Sequence, residues 1–509
     1  MEKPQLPGMS GDRVAVPDKE ALLAHLAPIG QTHLLAFWDE LDARGKARLA
    51  EQVLAIDPAL FLKLRGEFLR HQQAGEQASQ WAALAKRAQP PPAMRRDGRG
   101  AAFTPEEARQ AGRDLLRAGK VGMILVAGGL GTRLGFDLPK GMFPLGPLSG
   151  RSLFQMLIEQ LLAVGRRHGV SIPLYVMTSP ATDAATRQFL EQHNWFGVAP
   201  QDRRVFCQAT MWAVDAQFER ILLEERDSLF LGPDGHGGML AALVRSGGLE
   251  EARRRGIEHF FYGQIDNPLL QVCDELFLGS HLLAGSEMTT QVVPKREALE
   301  RVGNVVTIDG KVHVIEYSDL PEAVARQTNP DGSLRLWAGN LAVHAMDMRF
   351  LARCADEPDA LPFHYARKKV AYLDASGRRV EPQEPNAIRF ERFIFDLLPL
   401  ARRALVVEAD AAEAFAPVKN SDAEGTDNPR TARAALVALH RRWLREAGVE
   451  VADDVPVEIN PLWASSPEEI AARLPSGTVV DRPTYFAPEG PRPVAAAAKI
   501  VLAAQAPSG

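Results

Sequence analysis

Cysteine is scarce in this chain. Only Cys207, Cys273 and Cys354 occur in 509 residues, far apart and without a CxxC pair. That spacing excludes a disulfide framework. It favours buried small hydrophobes over metal ligands or nucleophiles. Long apolar runs are also missing: none reaches the ~18 residues of a membrane-spanning helix. The opening stretch MEKPQLPGMSGDRVAVPDKE has no apolar core of a secretory signal. A reducing cytoplasm is therefore the expected compartment, with no membrane partner. Nor is there an excess of basic charge. Lys plus Arg number 59 against 64 Asp plus Glu, a net −5, which excludes a generally basic nucleic-acid binder. What remains is a soluble globular composition, 46% hydrophobic and 24% charged. The length suits two to four domains, or one large domain with appendages.

The chain divides into three stretches by pattern. The first ~20 residues are expected to be loose. Residues 1–102 otherwise read as a helical region and a linker. Leu34, Leu35, Trp38 and Leu41, then Leu60, Phe61, Leu64 and Phe68, recur at helical spacing. Pro90, Pro91 and Pro92 break the pattern. The 88–102 stretch therefore reads as a linker, with Arg95, Arg96 and Arg99 as a solvated cluster. Residues 103–448 alternate helix and strand. Thr104-Pro-Glu-Glu is a helix start. VGMILVA (121–127), IPLYVMTS (172–179), VFCQ (205–208) and IEHFFYGQID (257–266) read as strands of an α/β sheet. Asp309-Gly310 marks a hairpin, and Asp427-Asn-Pro429 opens a helix. Residues 449–509 read as a small C-terminal module with an Ala-rich tail.

The chemistry concentrates in LVAGGLGTRLGFDLPKG (125–141). A buried strand runs into a loop holding Gly128, Gly129, Gly131 and Gly135. Glycines there admit backbone N–H groups close to phosphate or base, and Arg133 and Lys140 add two cations. Glycines alone are explained equally well by a tight turn. Two familiar phosphate loops do not fit. Lys140 is followed by Gly141, not the Ser or Thr of a Walker A loop, and Pro139 interrupts the helix that a dinucleotide fingerprint requires.

GGxGTRLG…PKG resembles the signature of the UDP-sugar pyrophosphorylases (UDPGP type 1 family), in particular their UDP-N-acetylglucosamine branch. The likeness extends from about residue 31 to about 448. It includes PDGHGG (233–238), QIDN (264–267), VIEYSD (314–319), AGN (338–340), FERFIFD (390–396) and PVKNSD…DNPRTAR (417–433). Such a family implies a Rossmann-like nucleotidyltransferase (GT-A-like) fold with a central mixed sheet. It also implies an N-terminal helical region and a small C-terminal domain. The reaction implied joins UTP to a sugar 1-phosphate, with Mg²⁺, and releases pyrophosphate. N-acetylglucosamine 1-phosphate is the first expectation. UDP-glucose or broad UDP-sugar specificity is the alternative, and a non-catalytic nucleotide-sugar binder is a further one.

The resemblance also implies roles. Val126, Ala127, Gly128 and Gly129 hold the uridine end, with Gln208 and Gly235 on the uracil. Arg133 contacts the leaving pyrophosphate and Lys140 the α-phosphate. Asp266 binds Mg²⁺ and nucleotide phosphate, a suitable donor for a hard cation. Glu316, Tyr317 and Asn340 face the sugar, and Lys419 holds its phosphate. Each of these has a bland alternative as an ordinary surface cation, cap or strand-end polar group. Three positions depart from the family pattern: Leu130 where Gln is usual, His236 where Asn contacts the sugar, and Arg389 where Lys is common near the triphosphate. Arg and Lys share charge but not geometry, so these departures bear on sugar specificity.

Overall fold

The computed structural model describes residues 18–73, 80–357 and 360–494. The expected loose N-terminus, up to residue 17, and the Ala-rich tail from 495 lie outside them. The chain forms two compact units, each built from separated stretches. Of the described residues, one comprises 18–73, 210–232 and 363–391, and the other 80–209, 233–357, 360–362 and 392–494.

The larger unit is organised on a ten-stranded mixed sheet. Its strands in chain order are β1 (Ala93–Met94), β2 (Val121–Val126), β3 (Leu174–Thr178), β4 (Arg203–Cys207), β5 (His259–Gln264), β6 (Met288–Pro294), β7 (Asn304–Ile308), β8 (Lys311–Ile315), β9 (Ala338–Asp347) and β10 (Ala404–Glu408). They lie side by side in the order β1-β10-β6-β9-β5-β2-β3-β4, with the β7–β8 hairpin attached to β9. β5, β2, β3 and β4 run parallel, whereas β9 is antiparallel to both β5 and β6. From β2 the chain winds outward through β3 and β4, then returns to place β5 on the other side of β2. In open α/β sheets ligands bind at such a reversal, beyond the strands' carboxyl ends.

Both faces of the sheet are covered, so its central strands are apolar on both sides. Met123 and Leu125 of β2 point into one core, and Ile124 into the other. The first face carries α1 (Pro105–Arg117), α2 (Leu153–His168), α4 (Glu275–Leu283) and α6 (Pro429–Glu446); the second carries α3 (Met239–Arg245) and α5 (Met348–Ala355). The helices start where local chemistry dictates. Thr104 and Glu107 form a reciprocal capping box on α1, Ser152 caps α2, and Asn428 caps α6. Between β7 and β8, Asp309 (φ 51°) and Gly310 (φ 78°) form the expected hairpin turn.

The 88–102 stretch is not the free linker expected. Ala93–Met94 pairs with Val406–Val407 at the sheet edge. Arg95 lies 2.8 Å from Glu408 and over the Trp337 ring, and Arg96 pairs with Asp410. The prolines exclude a helix, but an edge strand tolerates neighbouring prolines. Residues 449–494 form a small module within the same unit, with a sheet of Val457–Ile459, Thr484–Ala487 and Gly490–Pro493.

The smaller unit gathers helices Lys19–Leu26, Ala43–Leu54 and Pro58–Gln73 with a sheet of His364–Lys368, Ala387–Glu391 and Val214–Asp215. Phe61, Trp212, Phe218 and Phe390 form its aromatic centre, with Trp212 and Phe390 centroids 4.9 Å apart. The helix expected over Leu34–Leu41 is instead two 3₁₀ turns, 32–35 and 38–40. Leu34, Leu35 and Trp38 are buried as expected. Short turns on a core bury residues at nearly helical intervals, so periodicity over eight residues does not distinguish the two. Cys273 and Cys354 are buried, Cys207 is partly so, and all three are free.

Candidate active site

The glycine-rich loop leaves β2 and folds back on itself. Gly131 N–H donates to the Leu138 carbonyl at 2.9 Å, and Lys140 N–H to that of Gly129 at 3.0 Å. Gly135 turns the tip with φ 71°, which glycine adopts without strain. The fold-back returns Lys140 to the base of the loop, beside the carboxyl end of β2, and leaves Arg133 exposed on a 3₁₀ turn. Among the described residues Arg133 makes no ion pair.

Next to β2, β5 ends at Gln264 and the chain passes through Ile265, whose N–H donates to Val126 O at 3.0 Å. This carries Asp266 to the same crevice, where its carboxylate stands 3.7 Å from the Lys140 ammonium. Asn267 is buried and anchors the following segment. Its amide donates to Ala414 O at 2.7 Å and accepts from Ala416 N–H at 3.1 Å. Val418 N–H then donates to Asp266 O at 2.8 Å, which delivers Lys419 to the Asp266 side. Lys140, Asp266 and Lys419 thus converge from three distant stretches.

On the other side of β2, buried Gln208 follows β4. Its amide oxygen lies 3.2 Å from where a Cβ on Gly128 would be. Ser179 holds the same glycine, donating to Gly128 O at 2.7 Å. An open backbone and an amide therefore face each other beyond β2 and β4, an arrangement that can read a base edge. The PDGHGG loop wraps on Arg392. Gly235 takes φ 83°, with the Arg392 carbonyl 2.4 Å from a notional Cβ. Arg392 pairs with fully buried Asp234 at 2.5 Å, whose pKa burial pushes up. His236 packs against the stacked Phe393 and Phe395 rings and accepts the Ile394 N–H on Nδ1.

Antiparallel pairing places the start of β9, with Asn340, at the carboxyl end of β5. Gly303 joins Asn340 to Glu316. It accepts the Asn340 N–H at 2.8 Å, and a Cβ on it would meet the Glu316 carboxylate at 2.9 Å. Tyr317 beside it is 48% exposed. Lys295 is buried, donates to Asn304 at 2.6 Å, and has its pKa lowered by burial.

Residues 60–455 match the profile of the UTP–glucose-1-phosphate uridylyltransferase (UDPGP) family. The chain belongs to this family. It is 36% identical over 438 residues to a Xenopus tropicalis protein named UDP-N-acetylhexosamine pyrophosphorylase-like protein 1, covering 84% of each. It is 37% identical over 379 residues to the UDP-N-acetylglucosamine pyrophosphorylase of Saccharomyces cerevisiae, covering 73% of this chain and 79% of that one. The Trypanosoma brucei uridine diphosphate N-acetylglucosamine pyrophosphorylase superposes with a TM-score of 0.75 at 25% identity. That match covers 94% of this chain and 99% of the other.

In this UDPGP-family chain the structure brings together Val126 to Gly129, Gln208, Lys140, Asp266 and Lys419 at the switch point, and Glu316 with Asn340 around Gly303. Arg389 belongs to the smaller unit. It lies on the Ala387–Glu391 strand, where its guanidinium fills the space beside Gly232. Ser179, Asn267 and Lys295 were not singled out from sequence. They touch glycine backbone, loop carbonyls and an asparagine rather than carrying a motif of their own. Asn267 stood next to Asp266 in QIDN, and an amide after a strand-end acid was the one available signal. Among the described residues no group of three or more His, Cys, Asp or Glu could hold a metal ion. A lone carboxylate such as Asp266 still suits Mg²⁺, which binds through one or two carboxylates together with substrate phosphates. No helix of the described residues is long and apolar enough to cross a membrane.

Proposed function

We propose that the protein is a uridylyltransferase that converts UTP and an N-acetylhexosamine 1-phosphate, foremost N-acetylglucosamine 1-phosphate, into UDP-N-acetylhexosamine and pyrophosphate. The observation that carries this reading is the 37% identity to the yeast UDP-N-acetylglucosamine pyrophosphorylase. The convergence of two lysines and a carboxylate beyond β2 and β5 supports it. The mixed sheet with its switch point also fits a GT-A-like nucleotidyltransferase.

An oxygen of the sugar phosphate attacks the α-phosphorus of UTP. A new P–O bond forms as the bond to the bridging oxygen breaks, and pyrophosphate leaves. The step needs no covalent enzyme intermediate, so positioning and charge stabilisation account for catalysis. Gln208, Gly128 and Gly235 orient the uracil. Lys140 stabilises the α-phosphoryl group, Arg133 receives the pyrophosphate, and Lys419 holds the attacking phosphate. Glu316, Tyr317, Asn340 and His236 face the sugar. Asp266 is the residue that would hold Mg²⁺, which when bound neutralises charge on the phosphate oxygens.

The test is pyrophosphate release from UTP and Mg²⁺ with N-acetylglucosamine 1-phosphate, N-acetylgalactosamine 1-phosphate and glucose 1-phosphate in separate reactions. Release with an N-acetylhexosamine 1-phosphate in preference to glucose 1-phosphate is expected. Preference for glucose 1-phosphate would overturn the sugar assignment, and no release with any sugar would overturn the activity.

A further inference from the structure

Lys419 stands on a loop, 419–427, whose ends are tied together by backbone. Upstream, the Val418 N–H is held by the Asp266 carbonyl. Downstream, a single carbonyl, that of Asp427, accepts both the Lys419 N–H at 2.7 Å and the Asn420 N–H at 2.9 Å. Asp427 presents that carbonyl from φ 54°, in the left-handed region. Asp and Asn enter this region more readily than other non-glycine residues. Asn420 closes the loop a second time, donating to Thr426 O at 3.1 Å. The Asn428 amide donates to Glu424 O at 2.6 Å while its carbonyl oxygen caps α6. The Asp427 carboxylate is half-buried. It lies 4.0 Å from Arg296, itself paired to Glu300, and Lys419 is the foremost charge acting on it, lowering a pKa that burial raises. The hydrogen bonds that join Asp427 to the Lys419 segment are thus made by its backbone carbonyl.

We propose that Asp427 is a positioning residue for the uridylyl transfer, its left-handed backbone fixing Lys419 where the sugar phosphate binds. It acts through Lys419 and does not touch substrate. The inference rests on the role given to Lys419 above.

The experiment compares Asp427→Asn, Asp427→Gly and Asp427→Ala in the full chain, with Lys419→Ala as a reference, by initial rates against each substrate. Asn and Gly both adopt positive φ, and only Asn keeps a polar side chain; Ala resists that conformation. The Ala variant is expected to lose about tenfold in kcat/KM for the sugar 1-phosphate, with KM for UTP within about twofold of wild type. The Asn and Gly variants are expected to restore most of the loss. Equal loss in all three variants would overturn the proposal by assigning the role to the carboxylate, and wild-type kinetics in the Ala variant would overturn it outright. A normal rate in Lys419→Ala would instead remove the reading of Lys419, independently of the Asp427 series. Thermal melting of each variant separates unfolding from misplacement. If Ala unfolds at the assay temperature, Asp427→Ser serves in its place, with the same expectation.

Discussion

Arg133 and Lys140 are seven residues apart on one loop, yet their surroundings differ. Lys140 is mostly buried and faces Asp266; Arg133 is exposed. Removing either cation is expected to lower turnover on the order of 10²-fold without lowering the melting temperature. Pyrophosphate release and thermal melting of Arg133→Ala and Lys140→Ala check this, and near-normal rates would remove their roles. Away from the site, Glu287 receives both Arg353 guanidinium nitrogens, at 2.7 and 2.8 Å, and the Arg402 N–H. The Arg353 hydrogen bonds, first among the causes, hold its pKa down at about 2. A carboxylate depressed in the folded state stabilises fully above its unfolded pKa and loses that contribution as pH falls through the folded value. Between about pH 4.5 and 2 the wild type should therefore lose stability more steeply than Glu287→Gln. Parallel acid titrations followed by circular dichroism would show no difference if the pair contributes nothing.

At the scale of elements, α1 and α4 cross backbone to backbone. A Cβ on Gly279 would lie 1.7 Å from Ala108 O, and one on Gly112 would lie 1.9 Å from Glu275 O. Neither helix can rotate away, since Leu115, Leu116, Phe277 and Leu278 are locked in the core. Gly279→Ala should destabilise by about 3 kcal/mol, despite alanine's better helix propensity. Urea unfolding checks it, and a stabilised variant would show that the crossing is loose. Elements such as these were legible wherever the signal was local. Thr104, Asp309-Gly310 and Asn428 act on residues within a few positions, so sequence alone places their caps and turn. The edge strand Ala93–Met94 was not legible, because its partners Val406 and Val407 lie more than 300 residues away. Three prolines at 90–92 dominate the local pattern there.

Across the larger unit, the C-terminal module is bound to the segment that follows Lys140. Fully buried Glu458 accepts the Leu148 and Ser149 N–H groups, both at 2.7 Å, and pairs with Arg151 at 2.8 Å, which also holds Glu159. Breaking one partner of a buried pair leaves a charge uncompensated. Glu458→Gln should thus lower stability by about 3 kcal/mol, read from urea unfolding of the whole chain; a neutral result would show that the module docks by apolar contact alone. The sequence by itself determined the α/β class, the loop carrying Arg133 and Lys140, and the family signature. These rest on hydrophobic period, glycine and proline stereochemistry, and residue order, which are properties of contiguous chain. Tertiary structure alone decided that Lys140 faces Asp266 and the chain entering Lys419 bonds to it, that Gln208 faces Gly128, and that one unit gathers residues 18–73, 210–232 and 363–391. Those relations join residues tens to hundreds of positions apart. Those within the site come into being only when the sheet reverses its winding at β2 and β5, and no local pattern encodes that distance.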